Sequence, residues 1–86
     1  MDETADARLK RMAMRSWRRG TKEMDLILGP FADARLPELE IAALDAYDAL
    51  LAENDHDLYG WVSGVAAMPE RHGGIVERIR AFHGLR

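Results

Sequence analysis

The chain has 86 residues, of which 48% are hydrophobic, and this combination indicates one small globular domain rather than a disordered segment. It contains no cysteine, which excludes disulfide bonds, thiolate chemistry and cysteine-based zinc sites. The formal net charge of −3 is small, but residues 8–22 carry seven Lys or Arg and no acid, whereas residues 23–70 carry eleven acids and one base. This zoning fits a charged partner surface, and it fits equally well basic and acidic helices that pack antiparallel and neutralise each other.

The sequence offers no segment that would cross a membrane. The uncharged stretch 58–68 is about half a membrane span and contains two glycines. The N-terminus opens Met1-Asp2-Glu3 and lacks the apolar segment behind a basic head that marks a signal peptide. We therefore predict no membrane insertion, with the cytoplasm as the default location.

Helical periodicity predicts the first two helices and a tight corner between them. The first covers residues 5–19 and begins at a threonine cap, Thr4. Gly20 then supplies the backbone freedom of a left-handed helix terminus. The second helix runs from about 22 to 33, capped by Thr21, and its Gly29-Pro30 pair predicts a kink or an early end near residue 29.

Three more helices are predicted in the remainder of the chain. Pro37 is placed as the first residue of a third helix that closes at Asn54. A short fourth helix begins at Asp55, which caps it, and ends near Gly64. After a loop, the last helix covers residues 75–83.

The predicted fold is therefore all-α, a single domain over residues 1–86 built as a bundle of about five short helices. No segment alternates apolar and polar residues long enough to predict a strand. The large apolar residues on the helix stripes are the core candidates: Trp17, Leu28, Phe31, Leu44, Tyr47, Trp61, Ile79 and Phe82.

The residue types needed for catalysis are not arranged for it. The three histidines lie far apart, and only His56, between Asp55 and Asp57, weakly suggests a metal ion. A helix start with an exposed histidine explains that triplet more simply. No serine has a positioned base around it, and no glycine-rich phosphate loop occurs. We therefore expect neither an enzyme nor a metal site.

The basic first helix raises the possibility of a nucleic-acid partner. An antitoxin-like regulatory module that binds a protein or nucleic acid through this helix is the alternative function. Against nucleic acid stand the isoelectric point of about 5.5 and the lack of a second, recognition-type helix. Such a run of charges is more often a solvated face, so we expect no nucleic-acid binding.

The corner between the first two helices concentrates charges of both signs around a glycine. Its residues are Arg18, Arg19, Gly20, Glu23 and Asp25. One interpretation is a charged brace, in which Glu23 bonds free amides or pairs with an arginine. The other is an exposed patch that grips a partner. Spacing alone leaves both open.

This corner resembles the signature of the SdhE family, whose mitochondrial relatives are called succinate dehydrogenase assembly factor 2. The family hallmark Arg-Gly-x-x-Glu, with an aspartate two positions on, is matched by Arg19, Gly20, Glu23 and Asp25. A second stretch, 55–61, resembles the family's Asp-x-Asp-Leu-aromatic-x-Trp segment. The chain departs from the usual family residues at Thr21 and Gly29, neither of which is a hallmark position.

The resemblance implies a helical bundle that is not itself an enzyme and has no cofactor of its own. Such a protein binds the flavoprotein subunit of succinate dehydrogenase, and in some bacteria that of fumarate reductase. It promotes covalent attachment of FAD to a histidine of that subunit. On this basis the hypothesis is that Arg19, supported by Arg18, pairs with the partner, that Gly20 permits close approach, and that Asp25 extends the polar rim. Whether Glu23 braces Arg19 or contacts the partner stays open.

Overall fold

The computed structural model describes residues 3–85, and Met1, Asp2 and Arg86 lie outside the described residues. Within that range the chain forms five helices: α1 Ala5–Trp17, α2 Lys22–Arg35, α3 Ile41–Leu51, α4 Asp55–Ser63 and α5 Gly73–Phe82. Single turns of 3-10 helix at Leu36–Glu38 and Glu70–His72 precede α3 and α5. The described part of the chain contains no strand, and the all-α prediction is confirmed. None of the five helices is both long and apolar enough to cross a membrane.

The first two helices are joined by a four-residue corner. α1 ends at Trp17, two residues earlier than predicted, because Arg18 already has non-helical dihedral angles (φ −128°, ψ 52°). Gly20 has φ +103°, a value that residues with a side chain rarely adopt. Thr4 and Thr21 cap the two helices as predicted. The Thr4 hydroxyl accepts the backbone N–H of Ala7 at 3.0 Å, and the Thr21 hydroxyl accepts that of Met24 at 3.3 Å.

α2 does not end at its glycine-proline pair, so the predicted early end is wrong. The helix continues through Pro30 to Arg35. It has buried side chains on both sides of the proline, and we attribute its continuity to their packing, which opposes a cost of about 3 kcal/mol for proline in a helix. Those residues are Met24, Leu28, Phe31 and Ala32.

The position of Trp17 explains the neighbouring Gly29. A Cβ atom at Gly29 would overlap the indole ring of Trp17, so the glycine creates the groove on α2 in which the ring lies. The indole N–H donates to Asp33 Oδ2 at 3.1 Å. Trp17 remains 40% exposed, and its assignment to the core is therefore wrong. The ring covers the outside of the α1–α2 pair.

The third helix begins later than predicted. Pro37 belongs to the 3-10 turn instead of opening α3, because Leu39 is extended (ψ 141°) and interrupts the helical path. α3 then starts at Ile41 and ends at Leu51, short of Asn54.

The starts and ends of the last two helices were predicted in part. α4 begins at Asp55 as predicted, but its cap is Asn54, whose Oδ1 accepts the Asp57 N–H at 2.9 Å. The left-handed Gly64 (φ +86°) ends α4, as predicted. α5 begins at Gly73, two residues before the predicted start.

All five helices contribute to one core. Six of the eight core candidates are buried, and Phe82 lies at the core edge with its ring edge-on to Phe31 at a centroid distance of 5.7 Å. A buried hydrogen bond of 2.6 Å joins Ser16 Oγ of α1 to the Tyr47 hydroxyl of α3. Burial raises the pKa of Tyr47 to about 12, so the phenol remains a neutral hydrogen-bonding group at physiological pH.

Candidate partner-binding site

Arg19 is the centre of the corner and points into the protein. Its side chain is only 9% exposed. Nε donates to Asp55 Oδ1 at 2.8 Å, and the two terminal nitrogens donate to the carbonyls of Leu51 (2.8 Å) and Glu53 (2.7 Å). Carbonyls at the C-terminal end of a helix lack intrahelical partners and favour a cation. Arg19 therefore ties the α1–α2 corner to the connection between α3 and α4.

Asp25 closes the same corner from the other side. Its Oδ1 accepts the backbone N–H of Arg19 at 2.8 Å, and its side chain is half-buried. This bond joins the end of α1 to the first turn of α2 across Gly20. Of the five residues singled out from the sequence, Arg19 and Asp25 are thus engaged within the chain.

The other three residues face outward. Arg18, Gly20 and Glu23 are exposed, and a Cβ at Gly20 would meet no atom within 4 Å. Glu23 has no ion pair or side-chain hydrogen bond among residues 3–85; the carboxylate that pairs with Arg19 belongs to Asp55. The exposed positions therefore lie on a backbone that is fixed by internal bonds.

The arginines of α1 bond to α3, and two of the three, Arg8 and Arg11, pair there with carboxylates. Arg8 binds Asp45 at 2.7 Å, Arg11 binds Asp48 at 2.9 Å, and Arg15 donates to the carbonyl of Leu51 at 3.1 Å. Because the partners advance along α3 in the same order as the arginines along α1, the two helices run parallel, and the antiparallel arrangement was wrong. The Arg11 guanidinium, through its hydrogen bonds, lowers the pKa of Asp48. Part of the basic segment is therefore paired with part of the acidic segment inside the chain.

A surface cleft of about 410 Å³ opens beside the exposed residues, between the start of α2 and the start of α4. The residues that line it are Thr21, Glu23, Met24, Asp55, His56 and Tyr59. His56 and Tyr59 were not predicted as site residues. The available signal was the second resembling stretch, 55–61, which the structure brings next to the corner.

A second set of bonds fixes the α3–α4 connection from the side of α5. Glu53 Oε2 lies 2.6 Å from His72 Nε2 and 3.1 Å from an Arg71 nitrogen. The buried His72 ring packs against Trp61 with a centroid distance of 5.4 Å. The hydrogen bond from His72, reinforced by Arg71, lowers the pKa of Glu53.

The two carboxylates beside His56 have partners within the chain. Asp55 is paired with Arg19, and Asp57 Oδ2 accepts a bond from Asn54 at 2.9 Å. Among residues 3–85 no group of three or more acidic or histidine side chains converges on a point where a metal ion would sit.

Comparison with known proteins supports the resemblance seen in the sequence. Residues 10–83 match the family described as "Flavinator of succinate dehydrogenase", and this segment includes the whole corner. The chain belongs to this flavinator family.

Curated relatives share 31% to 41% of the aligned residues with this chain. Succinate dehydrogenase assembly factor 2, mitochondrial, of Schizosaccharomyces pombe is 41% identical over 80% of this chain and 50% of its own length. The protein of the same name from Candida glabrata is 36% identical over 95% of this chain and 57% of its own length. The chain therefore spans about half the length of the curated relatives it matches.

Proposed function

We propose that this chain is an assembly factor that binds the flavoprotein subunit of succinate dehydrogenase and promotes covalent attachment of FAD to it. The observation that carries the proposal is membership of the flavinator family through a segment that contains the Arg19-Gly20-x-x-Glu23 corner. The chain acts here as a helper, without a cofactor of its own, and the histidine that receives the flavin belongs to the partner. The fumarate reductase flavoprotein is a second candidate partner of the same kind.

The geometry of the corner suits contact with a protein. Gly20 is exposed and has no side chain, so a partner backbone is able to approach it closely. Arg18 and Glu23 stand on either side as exposed charges of opposite sign. We assign the partner contact to these three residues, and we assign to Arg19 and Asp25 the task of holding them in place.

In the proposed activity this chain orients the reacting groups of its partner and does not supply a reacting group itself. An imidazole that attacks the flavin must be held in line with the reacting carbon, and the negative charge that develops on the flavin must be stabilised. The flavoprotein and its flavin supply these reacting groups. A small rigid protein bound at the flavin domain contributes by favouring the reactive arrangement of its partner.

The ion pairs of the basic segment argue against the antitoxin-like alternative. Three arginines of the basic segment form ion pairs with later acids: Arg8 with Asp45, Arg11 with Asp48, and Arg19 with Asp55. These bonds reduce the positive charge that the first helix would offer to phosphates. The relatives are named mitochondrial, and the cytoplasmic location expected for this chain stays a prediction.

A reconstituted assay tests the proposal. The flavin-free flavoprotein subunit is mixed with FAD and a dicarboxylate, with or without this chain, and covalent flavin is read by in-gel fluorescence after denaturation. The proposal expects more covalent flavin, or faster attachment, when the chain is present, together with a complex on a sizing column. An unchanged rate and no complex would reject it.

A further inference from the structure

We propose that the cleft beside the corner, lined by Glu23, Met24, His56 and Tyr59 among others, is a socket for one long basic side chain of the partner, an arginine or a lysine. The inference rests on the proposed function, because it names the chemistry of the partner group at the same site. It adds the start of α4, which is not part of the corner motif, to the proposed binding surface.

The walls of the cleft suit the aliphatic part of such a side chain. Met24, which is 1% exposed, and Tyr59, which is 48% exposed, both line the cleft. Arginine and lysine bury their methylene groups on apolar surface and keep the charged end in water. The face of a tyrosine ring also attracts a cation.

The charges around the cleft favour a cation at its rim. Two carboxylates line it, those of Glu23 and Asp55, and no lysine or arginine side chain is among its lining residues. Asp55 is already paired with Arg19, whereas Glu23 has no ion pair within residues 3–85. A basic partner group would therefore find an available carboxylate next to an apolar wall, a combination that interface arginines use often.

The cleft is held open by bonds that do not depend on the partner. Arg19 fixes Asp55 and the carbonyl of Glu53, and these residues set the position from which α4 begins. The Glu53–His72 bond holds the same connection from the opposite side. On the α2 side, Asp25 accepts the Arg19 backbone N–H at 2.8 Å. Because the backbones of both walls are held by internal bonds before binding, binding orders side chains and does not have to order the backbone.

Binding of variants to the purified flavoprotein subunit tests the socket. By titration calorimetry we expect Glu23→Gln and Tyr59→Ala each to raise Kd about tenfold, the scale of one contact worth about 1.4 kcal/mol. Tyr59→Phe keeps the ring, so its Kd should rise less than that of Tyr59→Ala. Glu77→Gln is the matched control, because Glu77 is an exposed helical glutamate far along the chain with no ion pair in the described range. Circular dichroism should be the same for all four.

The identity of the partner group is tested by photo-crosslinking. A benzophenone amino acid placed at position 59 should crosslink to a peptide of the flavoprotein that contains an arginine or lysine. Replacing that arginine or lysine of the flavoprotein by glutamate should weaken its binding to the native chain. The same flavoprotein variant should regain binding to the Glu23→Lys chain, but not to the Glu77→Lys chain.

Two outcomes would overturn the socket while leaving the proposed function intact. The first is a native complex with full flavin attachment in which Glu23→Gln and Tyr59→Ala bind with unchanged Kd. The second is a crosslink to a flavoprotein peptide in which replacing each arginine or lysine by glutamate leaves binding unchanged. If the native chain itself forms no complex, the proposed function fails, and the socket fails with it.

Discussion

The guanidinium of Arg19 donates a hydrogen bond of 2.8 Å to the carboxylate of Asp55, although 36 residues separate the two in the sequence. Their side chains are 9% and 19% exposed, so the pair is largely shielded from water. The bond joins the family's corner motif to the first residue of α4. It makes the corner and the neighbouring cleft one rigid surface, and it gives Arg19 a function inside the protein.

Loss of the Arg19 guanidinium should destabilise the fold. Arg19→Gln leaves Asp55 without its partner and the Glu53 carbonyl without its donor, while the Leu51 carbonyl keeps only the bond from Arg15. We expect the free energy of unfolding to fall by about 2–4 kcal/mol. Urea denaturation followed by circular dichroism measures this change. Arg78→Gln is the control, since Arg78 makes an exposed bond to Glu40 and its loss should destabilise the fold much less than the loss of Arg19. If the two changes lowered the free energy of unfolding equally, Arg19 would not be the stabilising link between the corner and the α3–α4 connection.

The groove that Gly29 makes for Trp17 predicts opposite effects at two glycines. Gly29→Ala places a methyl group against the indole and should lower stability by about 1–3 kcal/mol. Gly74→Ala, in α5 with open space around it, should leave stability unchanged or raise it by about 0.5–1 kcal/mol. Urea denaturation of the two variants gives the comparison. A Gly29→Ala chain as stable as the native one would mean that the ring does not pack as described.

The bonds of Glu53 predict part of the acid sensitivity of the fold. His72 and Arg71 lower the pKa of Glu53 below its ordinary value of 4.5. Because the folded pKa is the lower one, the stabilising contribution is complete above pH 4.5 and is lost as the pH falls through the folded pKa. Glu53→Gln should therefore flatten the acid side of a plot of unfolding free energy against pH. Glu77→Gln should leave that slope as it is in the native chain, and a Glu53→Gln slope equal to native would contradict the assignment.

The periodicity of the sequence was sufficient for the helices but not for their mutual contacts. Caps and apolar stripes predicted five helices in the correct order, because both depend on residues within one turn of each other. The bonds of Arg19 depend on carbonyls 32 and 34 residues away, and a backbone carbonyl has no signal in the sequence. Trp17 was placed in the core because periodicity assigns a helix face without showing that Gly29 would hold the ring at the surface.

The structure divides the roles of the five predicted corner residues differently from the sequence analysis, and their contact with a partner stays a prediction. The motif located the corner, and the exposed Gly20 and Glu23 agree with a contact surface. The same motif made Arg19 an outward-facing residue, whereas its acceptors turn it inward. His56 and Tyr59 join the site only through folding, because α4 begins beside α2.

The most direct test of the account compares two glycines in the flavin-attachment assay. Gly20 and Gly84 both have positive φ (103° and 76°), and a Cβ atom at either position would meet no other atom within 4 Å. An arginine at either position therefore meets similar backbone strain and open space. We predict that Gly20→Arg abolishes the gain in covalent FAD and the complex with the flavoprotein, while Gly84→Arg retains both and the two variants remain equally helical. Full activity of Gly20→Arg, or equal loss in both variants, would contradict a partner contact at this corner.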